Sequence, residues 1–467
     1  MTPKDGLTKA TINVPKATEY DHMAEPDNSI LAILVVSPFA SRKRYANQGG
    51  RMAAVTLVSN ADLPQSYMQY PLICKSLSTS AIQIGVHTRA MSIAVSRCNF
   101  PLGSSVEPIS GKTGIGLSWS QPRENSIDAI KMGINHFDGV EFDLRLSSDG
   151  VLMLHHDNKI AGGKYFENQT ADEVKSIADT FEDLLKVSEF TKPWQEEGKT
   201  VCIELKSPHP SSGVAGGWKG GSKKVNYLIK MIEMVDEAIS DFDLPEGTTV
   251  IYAFDKKFLK AINSVGCNHP HAILMPRLRE WSSGNINKAM ASPSFIAHSM
   301  PRLMKKHQKW GAPMTPCALD YLTGFTRHLT LGTTVGLHGR GLEKLTKARK
   351  GFPAFCWPVP LNHERAVLDA GLTAITDSSS PEINQLPDGS ERRTKPATKP
   401  LSKGDSQPWN EMSKGEHREL LTQMKKQWLW KRSVDELINS SEANQIPWEV
   451  PRMIGHRGAG KTHHSID

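Results

Sequence analysis

A chain of 467 residues with 38% hydrophobic content, 29 prolines and a net charge of +7 is long enough for one (β/α)8 barrel of about 250 residues with extensions. It is too poor in apolar residues to be packed core throughout, since globular domains run nearer to about 45–50% apolar. The charge is spread along the chain with no arginine-rich arm interleaved with aromatics, which argues against a nucleic-acid partner, and no apolar run approaches the roughly 20 residues that cross a bilayer.

Residues 1–103 show no sustained periodicity and are expected to form a poorly ordered extension. Within them, Ser37 to Val106 is serine-rich and holds one acid, Asp62, against seven lysines and arginines. From 104 to 384 short β-branched runs alternate with helical stretches, the pattern of a parallel α/β sheet or barrel. The predicted strands are Gly139–Leu144, Thr200–Lys206, Thr249–Phe254, His271–Met275, Cys317–Tyr321, Ala354–Val359 and Thr373–Thr376, with a short extra strand at Val151–Leu154. Helices are predicted at Ser126–Gly133, Lys223–Ile239, Lys256–Val265 and His363–Ala370. Residues 385–411 read as a flexible linker rich in proline, lysine and serine. Residues 412–441 read as an amphipathic helical segment, opened by the capping pattern Ser413-Lys-Gly-Glu416 and carrying Leu420, Leu421, Met424, Trp428, Val434, Leu437 and Ile438 on a docked face. Residues 446–467 hold an extended run, Trp448 to Ile454, that leads into Gly455-His456-Arg457-Gly458. The six cysteines, Cys74, Cys98, Cys202, Cys267, Cys317 and Cys356, are widely spaced with no Cys-x-x-Cys pair, so isolated thiols in a reducing, cytoplasmic setting are expected.

Glu141 and Asp143 alternate on one strand, and a period of two turns both carboxylates to one face. Crowded together at the end of a buried strand they raise each other's pKa unless a cation neutralises them, and a hard divalent ion suits that need. Val201-Cys-Ile203-Glu204-Leu-Lys206 places Glu204 and Lys206 on one face of an otherwise apolar strand, where a charge is costly unless paired or ligated. Glu141, Asp143 and Glu204 together offer the oxygens for one Mg2+ or Ca2+. Lys206 either pairs with Glu204 or holds a substrate phosphate oxygen. Of the adjacent His155 and His156, which face opposite ways on a continuing strand, His156 is preferred for proton transfer.

Taken together, Pro122-Arg-Glu124-Asn125-Ser126, Gly139-Val-Glu141-Phe-Asp143, Ser148-Asp-Gly150, His156-Asp157, Ile203-Glu204-Leu-Lys206, Phe254-Asp255, the strand around Trp357 and Ala374-Ile-Thr-Asp377 resemble the glycerophosphodiester phosphodiesterase family. The resemblance covers about 104–384 and 446–462. It implies a TIM-type (β/α)8 barrel that cleaves glycerophosphodiesters to glycerol 3-phosphate and an alcohol with two histidines and one divalent metal. By the same resemblance Glu141, Asp143 and Glu204 are the metal ligands and His156 and His456 the acid/base pair. Arg457 and Lys206 are expected at the substrate phosphate, with Glu124, Asn125, Asp157 and Trp357 in support. The family's Pro-Glu-Asn run is interrupted here by Arg123, which leaves the placement of Glu124 open.

The His-Arg-Gly element is displaced to the far end of the chain, while the seven strands leave the first place of a barrel vacant. Gly-Lys-Thr occurs at both Gly111–Thr113 and Gly460–Thr462, and Ser-Ile-Asp at both Ser126–Asp128 and Ser465–Asp467. Overlapping ends of this kind are what duplication and trimming leave, so the chain reads as a circular permutation whose C-terminal strand fills the first slot. The filling is expected in the same chain, or in a partner's barrel as a swapped homodimer. Other readings remain. One is a phospholipase D-like hydrolase of lysolipids or sphingolipids on the same fold. Another is a barrel that binds ligands without turnover. The third takes Gly455-His-Arg-Gly-Ala-Gly460-Lys461-Thr462 as a P-loop, which requires a following helix to meet the phosphates.

Overall fold

In Gly139–Leu146 Val140, Phe142 and Leu144 alternate with Glu141, Asp143 and Arg145, and every residue is buried. A strand that is apolar on one face, charged on the other and covered on both belongs inside a sheet backed by helices and curled around its polar face. The computed structural model describes residues 121–275, 292–380, 409–441 and 445–462, with short strands at 81–83, 92–94, 110–112 and 118–120. Most of the 1–103 extension, most of the 385–411 linker and the repeated Ser465–Asp467 lie outside the described residues.

The chain divides into two units, Met1–Ser96 and Arg97–Asp467. In the first, β1 (Ala81–Gln83) pairs antiparallel with β2 (Ser92–Ala94). In the second, β3 (Ser110–Lys112) pairs antiparallel with β4 (Ser118–Ser120). The main sheet follows with β5 (Gly139–Leu146), β6 (Leu152–Leu154), β7 (Asp179–Thr180), β8 (Thr200–Leu205), β9 (Thr249–Ala253), β10 (His271–Ile273), β11 (Thr315–Ala318), β12 (Ala354–Val359), β13 (Thr373–Thr376) and β14 (Met453–Gly455). Its parallel strands run in the order β10-β9-β8-β5-β14-β13-β12-β11, and β10 and β11 at the two ends lie beside each other. The result is a nearly closed α/β barrel. The hairpin partner β6 and the short β7 pair antiparallel off β5.

The vacant first slot is filled by the C-terminal strand. β14 pairs parallel with β13 through Ala374–Met453, Ile375–Ile454 and Thr376–Gly455, and with β5 through Gly455–Val140. Asp138 ties the junction from both sides: its amide donates to Met453 O at 2.9 Å, and its carboxylate accepts from Met453 N at 2.8 Å. Only Met453–Gly455 is strand, so the expected eighth strand is shorter than the run from Trp448. The preceding residues instead turn around Arg452, whose guanidinium bonds the carbonyls of Ile446 and Pro447 and lies 5.3 Å from the Trp448 ring centroid.

The lumen is apolar at the N-terminal end of the strands, where Cys202, Val250, Phe355, Ile375 and Ile454 form one cluster with Tyr252 and Leu274. The larger core lies outside the sheet, between strands and helices, with Val140, Phe142, Ile203 and Ile251 meeting residues such as Ile130, Trp194, Leu228 and Ile262. The four predicted helices form within a few residues of the expected places, while Ser188–Glu196, Met300–Lys309 and Gly339–Arg349 are helices that the sequence reading did not name. Ile127–His136 starts at Ser126, whose side chain accepts from Ala129 N, and buries Ala129, Ile130, Gly133 and Ile134 at helical spacing.

Two further predicted elements differ from expectation. The strand predicted at Cys317–Tyr321 is Thr315–Ala318, and Leu319–Tyr321 is a 3-10 turn, because the chain leaves the barrel at Ala318. The segment predicted at 412–441 begins at the buried Trp409 and breaks into helices Lys414–Trp428 and Val434–Ser440. Leu429 ends the first in a left-handed conformation (φ 57°) and a second capping box, Ser433 with Glu436, starts the other. This hairpin packs its own cluster of Leu421, Met424, Trp428, Trp430, Leu437 and Val450. Trp428 Nε1 donates to Asp369 O at 3.2 Å. Asp369 ends the helix that precedes β13, so the hairpin docks at the N-terminal end of the strands, where the chain must arrive to enter β14.

Close backbone packing seats the returning segment. A Cβ at Gly458, whose φ is +85°, would lie 2.4 Å from Ala129 C, and one at Gly133 would lie 2.4 Å from Gly458 O. Gly458→Ala is therefore expected to combine left-handed strain with a backbone clash and to lower stability by about 2 kcal/mol or more. Urea unfolding of the full chain measures this, and a change within about 0.5 kcal/mol, the usual effect of a surface substitution, would refute the tight seating.

Candidate active site

The acidic residues meet because the register demands it. Asp143 on β5 pairs with Glu204 on β8, so Glu141, Asp143 and Glu204 project into the lumen above its apolar floor, and their oxygens fall within 4.8 Å of one another. All three are buried. Burial pushes the Glu141 carboxyl well above its ordinary range, and the neighbouring Asp143 and Glu204 add to the effect. Burial likewise carries Glu204 up to about 7, against the opposing charge of Lys206. Asp143 goes the other way. Burial would raise it, but Lys206, His156 and Arg457 outweigh burial and hold it well below the carboxylate range.

Lys206 Nζ bridges the pair, 2.6 Å from Glu204 Oε1 and 2.9 Å from Asp143 Oδ1. Sequence left two roles open for it, and the ion pair is the one this geometry contains. Asn125 fixes Asp143 reciprocally: its Nδ2 donates to Asp143 Oδ2 at 2.8 Å, and its Oδ1 accepts from Asp143 N at 2.9 Å. Asn125 reaches this position with φ 53°, a conformation asparagine tolerates better than most residues.

The returning strand brings His456 and Arg457 to the same cluster. His456 Nδ1 lies 2.7 Å from Asp377 Oδ1, and its Nε2 lies 3.9 Å from Glu141 Oε2. Burial would raise Asp377, yet the His456 imidazole and Arg457 hold it down to about 2. Arg457, at φ 51°, donates its amide to Glu141 Oε2 at 2.9 Å. Its guanidinium pairs with Glu124 and lies 3.7 Å from Asp143 Oδ2. Glu124 is thus in the site despite the extra Arg123, whose side chain turns away to Asp179 at 3.1 Å.

His156 Nδ1 lies 2.7 Å from Asp157 Oδ1, so each of the two predicted histidines sits against its own carboxylate. Burial holds His156 well below the usual imidazole range, and the cations Arg457 and Lys206 reinforce it. His155 points elsewhere and stacks on Phe166 at 4.6 Å. Trp357 stands at the rim, edge-on to Phe254 at 5.5 Å. Two contributors had no role in the sequence reading. Asp377 lay within a quoted motif, but its partner is 79 positions away. Arg145 is a buried charge on the strand of Glu141 that bonds the His156 carbonyl through Nε at 3.0 Å and Nη2 at 2.6 Å, while pairing with the buried Glu167. A third charge on an already acidic strand was the available signal.

The donor set suits a hard cation. Among the described residues Glu124, Glu141, Asp143 and Glu204 meet Lys206 and Arg457 as buried cations. Three carboxylates outnumber the cations against them, and an all-oxygen cluster is what Mg2+ or Ca2+ takes. A P-loop is a poor fit to the same residues. The amides of Arg457, Gly458, Gly460, Lys461 and Thr462 that would cradle phosphates donate to Glu141, Glu141 O, His456 O, Asp377 and Glu124 respectively. Among the described residues no helix follows β14.

Residues 115–250 match the Glycerophosphoryl diester phosphodiesterase family, a stretch that contains Glu124, Asn125, Glu141, Asp143, His156 and Glu204 but not the C-terminal His456. No curated protein matches the chain significantly. Among solved structures, a glycerophosphodiester phosphodiesterase from Thermotoga maritima is similar at 16% identity, over 55% of this chain and 89% of that one, with a TM-score of 0.33. One from Parabacteroides distasonis is also 16% identical, over 50% of this chain and 77% of its own, with a TM-score of 0.33. An Oleispira antarctica phosphodiesterase, solved in complex with the product sn-glycerol-3-phosphate, is 12% identical over 56% and 90% of the two chains, with a TM-score of 0.36.

Proposed function

We propose that this protein is a metal-dependent phosphodiester hydrolase that cleaves glycerophosphodiesters to glycerol 3-phosphate and an alcohol. The observation that carries this reading is the pair of His–Asp units, His156 with Asp157 and His456 with Asp377, set against one buried carboxylate cluster. The match of residues 115–250 to the phosphodiesterase family supports it. Glu141, Asp143 and Glu204 would hold Mg2+ or Ca2+, which when bound would neutralise the cluster and polarise a phosphoryl oxygen.

The chain's own groups supply the proton transfers. Burial pushes the His156 imidazole below its usual range, and with Nδ1–H donated to Asp157 its Nε2 keeps a lone pair for a proton of the attacking water. His456, oriented by Asp377, is placed to give a proton to the departing alkoxide as the phosphorus–oxygen bond breaks. One proton is accepted and one donated, so the net reaction consumes a single water. Lys206 and Arg457 set positive charge beside the transferring phosphoryl group, with Glu124 orienting the guanidinium. The displaced first strand, read as a circular permutation of the family's order, is then what delivers half of the acid/base pair.

His156→Ala and His456→Ala are each expected to lower kcat about 10²–10⁴-fold with little change in KM, followed as glycerol 3-phosphate released from glycerophosphocholine in the presence of Mg2+. Turnover by His456→Ala equal to wild type would remove the C-terminal strand from the mechanism. Chelation is expected to abolish hydrolysis and added Mg2+ or Ca2+ to restore it in the wild type, whereas Glu141→Gln should stay inactive at any metal concentration. Hydrolysis that survives exhaustive chelation would exclude the metal.

A further inference from the structure

Among the described residues the large hydrophobic side chains left exposed are not scattered. All but Leu429 follow the C-terminal ends of barrel strands, the end at which the carboxylates and histidines open. Trp218 lies in the loop after β8 and is 72% exposed, and Phe325, after β11, is 74% exposed. Leu331 in the same loop and Leu361 after β12 extend the set. Single exposed apolar residues are ordinary, but several on neighbouring loops at one end of a barrel mark an interaction surface.

The charge on these loops is one-sided. Residues 207–221, 254–257, 319–338 and 360–362 carry Lys219, Lys256, Lys257 and Arg327 against only two acids. Of those acids, Asp320 is 1% exposed and Asp255 is paired with Lys224 at 2.9 Å. The loop entering β9 at the opposite end is its inverse, with Asp241, Asp243 and Glu246 and no cation between 240 and 247. Trp218 has ring neighbours on its loop: His209 stacks on Tyr165 at 5.1 Å and meets the Trp218 ring edge-on at 6.3 Å. Phe254 links the rim to the site, touching Trp357 on one side and lying 5.8 Å from Lys206 Nζ on the other.

We infer that the C-terminal rim of the barrel is a docking surface for an anionic phospholipid bilayer. Protruding tryptophan, phenylalanine and leucine enter the boundary between headgroups and acyl chains while the surrounding lysines and arginine meet the negative headgroups. A nucleic acid would accept the charge but not the apolar tips, and an apolar protein partner would accept the tips but not select for the charge. The orientation turns the site opening toward the membrane. Resting on the proposed activity, the substrate class narrows to phosphodiesters whose alcohol or acyl part remains in the bilayer, presented headgroup first to Lys206.

The test is co-sedimentation of the full chain with vesicles of phosphatidylcholine alone or of about seven parts phosphatidylcholine to three of phosphatidylserine, a surface charge comparable to a cytoplasmic leaflet. Wild type should bind the mixed vesicles at least tenfold more tightly than the neutral ones, and binding should weaken as salt rises. Trp218→Ser/Phe325→Ser/Leu331→Ser should lose at least tenfold in binding while keeping the wild-type thermal midpoint and the wild-type rate on soluble glycerophosphocholine. His156→Ala should bind vesicles as wild type does. Wild type that stays in the supernatant with both vesicles, or a folded triple variant that binds unchanged, would overturn the inference. Absence of hydrolysis by wild type would count against the proposed activity and leave the binding result standing by itself.

Discussion

The three residues Met453–Gly455 join β13 to β5, and the charge balance of the site depends on that junction. Without them the sheet would be open between Ala374 and Val140, and the lumen would expose Ile454's neighbours Cys202, Phe355 and Ile375 to water. The strand also leads into Arg457, one of two buried cations that touch the carboxylate cluster among the described residues, and His456. A barrel has no free edge only when its last strand is in place. Here the last strand in sequence lies between β5 and β13, so the segment that joins these strands is the one that carries His456 and Arg457 to the site.

That coupling explains the backbone detail around the turn. Arg457 takes a left-handed conformation so that its amide can reach the Glu141 carboxylate while its carbonyl accepts from Asn125 N at 3.0 Å. Gly458 follows at positive φ because Ala129 leaves no room for a Cβ. Strain of this kind persists where surrounding contacts over-determine it. The contacts come from the helix Ile127–His136, from β5 and from Ser379, whose hydroxyl donates to Ala459 O. The helical hairpin at 409–441 serves the same end from below, anchoring the chain at Asp369 before it turns upward through Arg452.

Burying four carboxylates with two cations is costly by desolvation alone, and breaking any one pair leaves an uncompensated charge. The cluster tolerates this because each carboxylate has fixed donors: Asn125 and Lys206 for Asp143, the Arg457 amide for Glu141, Lys206 for Glu204, and Arg457 with the Thr462 amide for Glu124. Preorganised donors of this kind reorganise little when charge develops on a bound phosphoryl group. Arg145 extends the principle outward, holding the carbonyl of His156 so that the imidazole is presented by a rigid strand end.

The order of the parallel strands from 139 to 376 and three of the helices between them could be read from the chain, because period-two and helical apolar patterns are local, whereas Ser188–Glu196, Met300–Lys309 and Gly339–Arg349 were not picked out. So could Glu141, Asp143, His156 and Glu204, since carboxylates and imidazoles inside buried runs are conspicuous at the level of a single strand. The break at Leu429 was written in the second Ser-x-x-Glu pattern at Ser433–Glu436, but a continuous apolar stripe concealed it. What local pattern could not contain was partnership across long separations. Glu124 meets Arg457 and Thr462 more than 330 positions away, Asp377 meets His456, and the short β14 has its neighbours chosen by the slot that the other strands leave. Sequence by itself determined which residues would be inside and which would be charged there; tertiary structure decided which charges face one another, because only barrel closure brings the two ends of the chain within hydrogen-bonding distance.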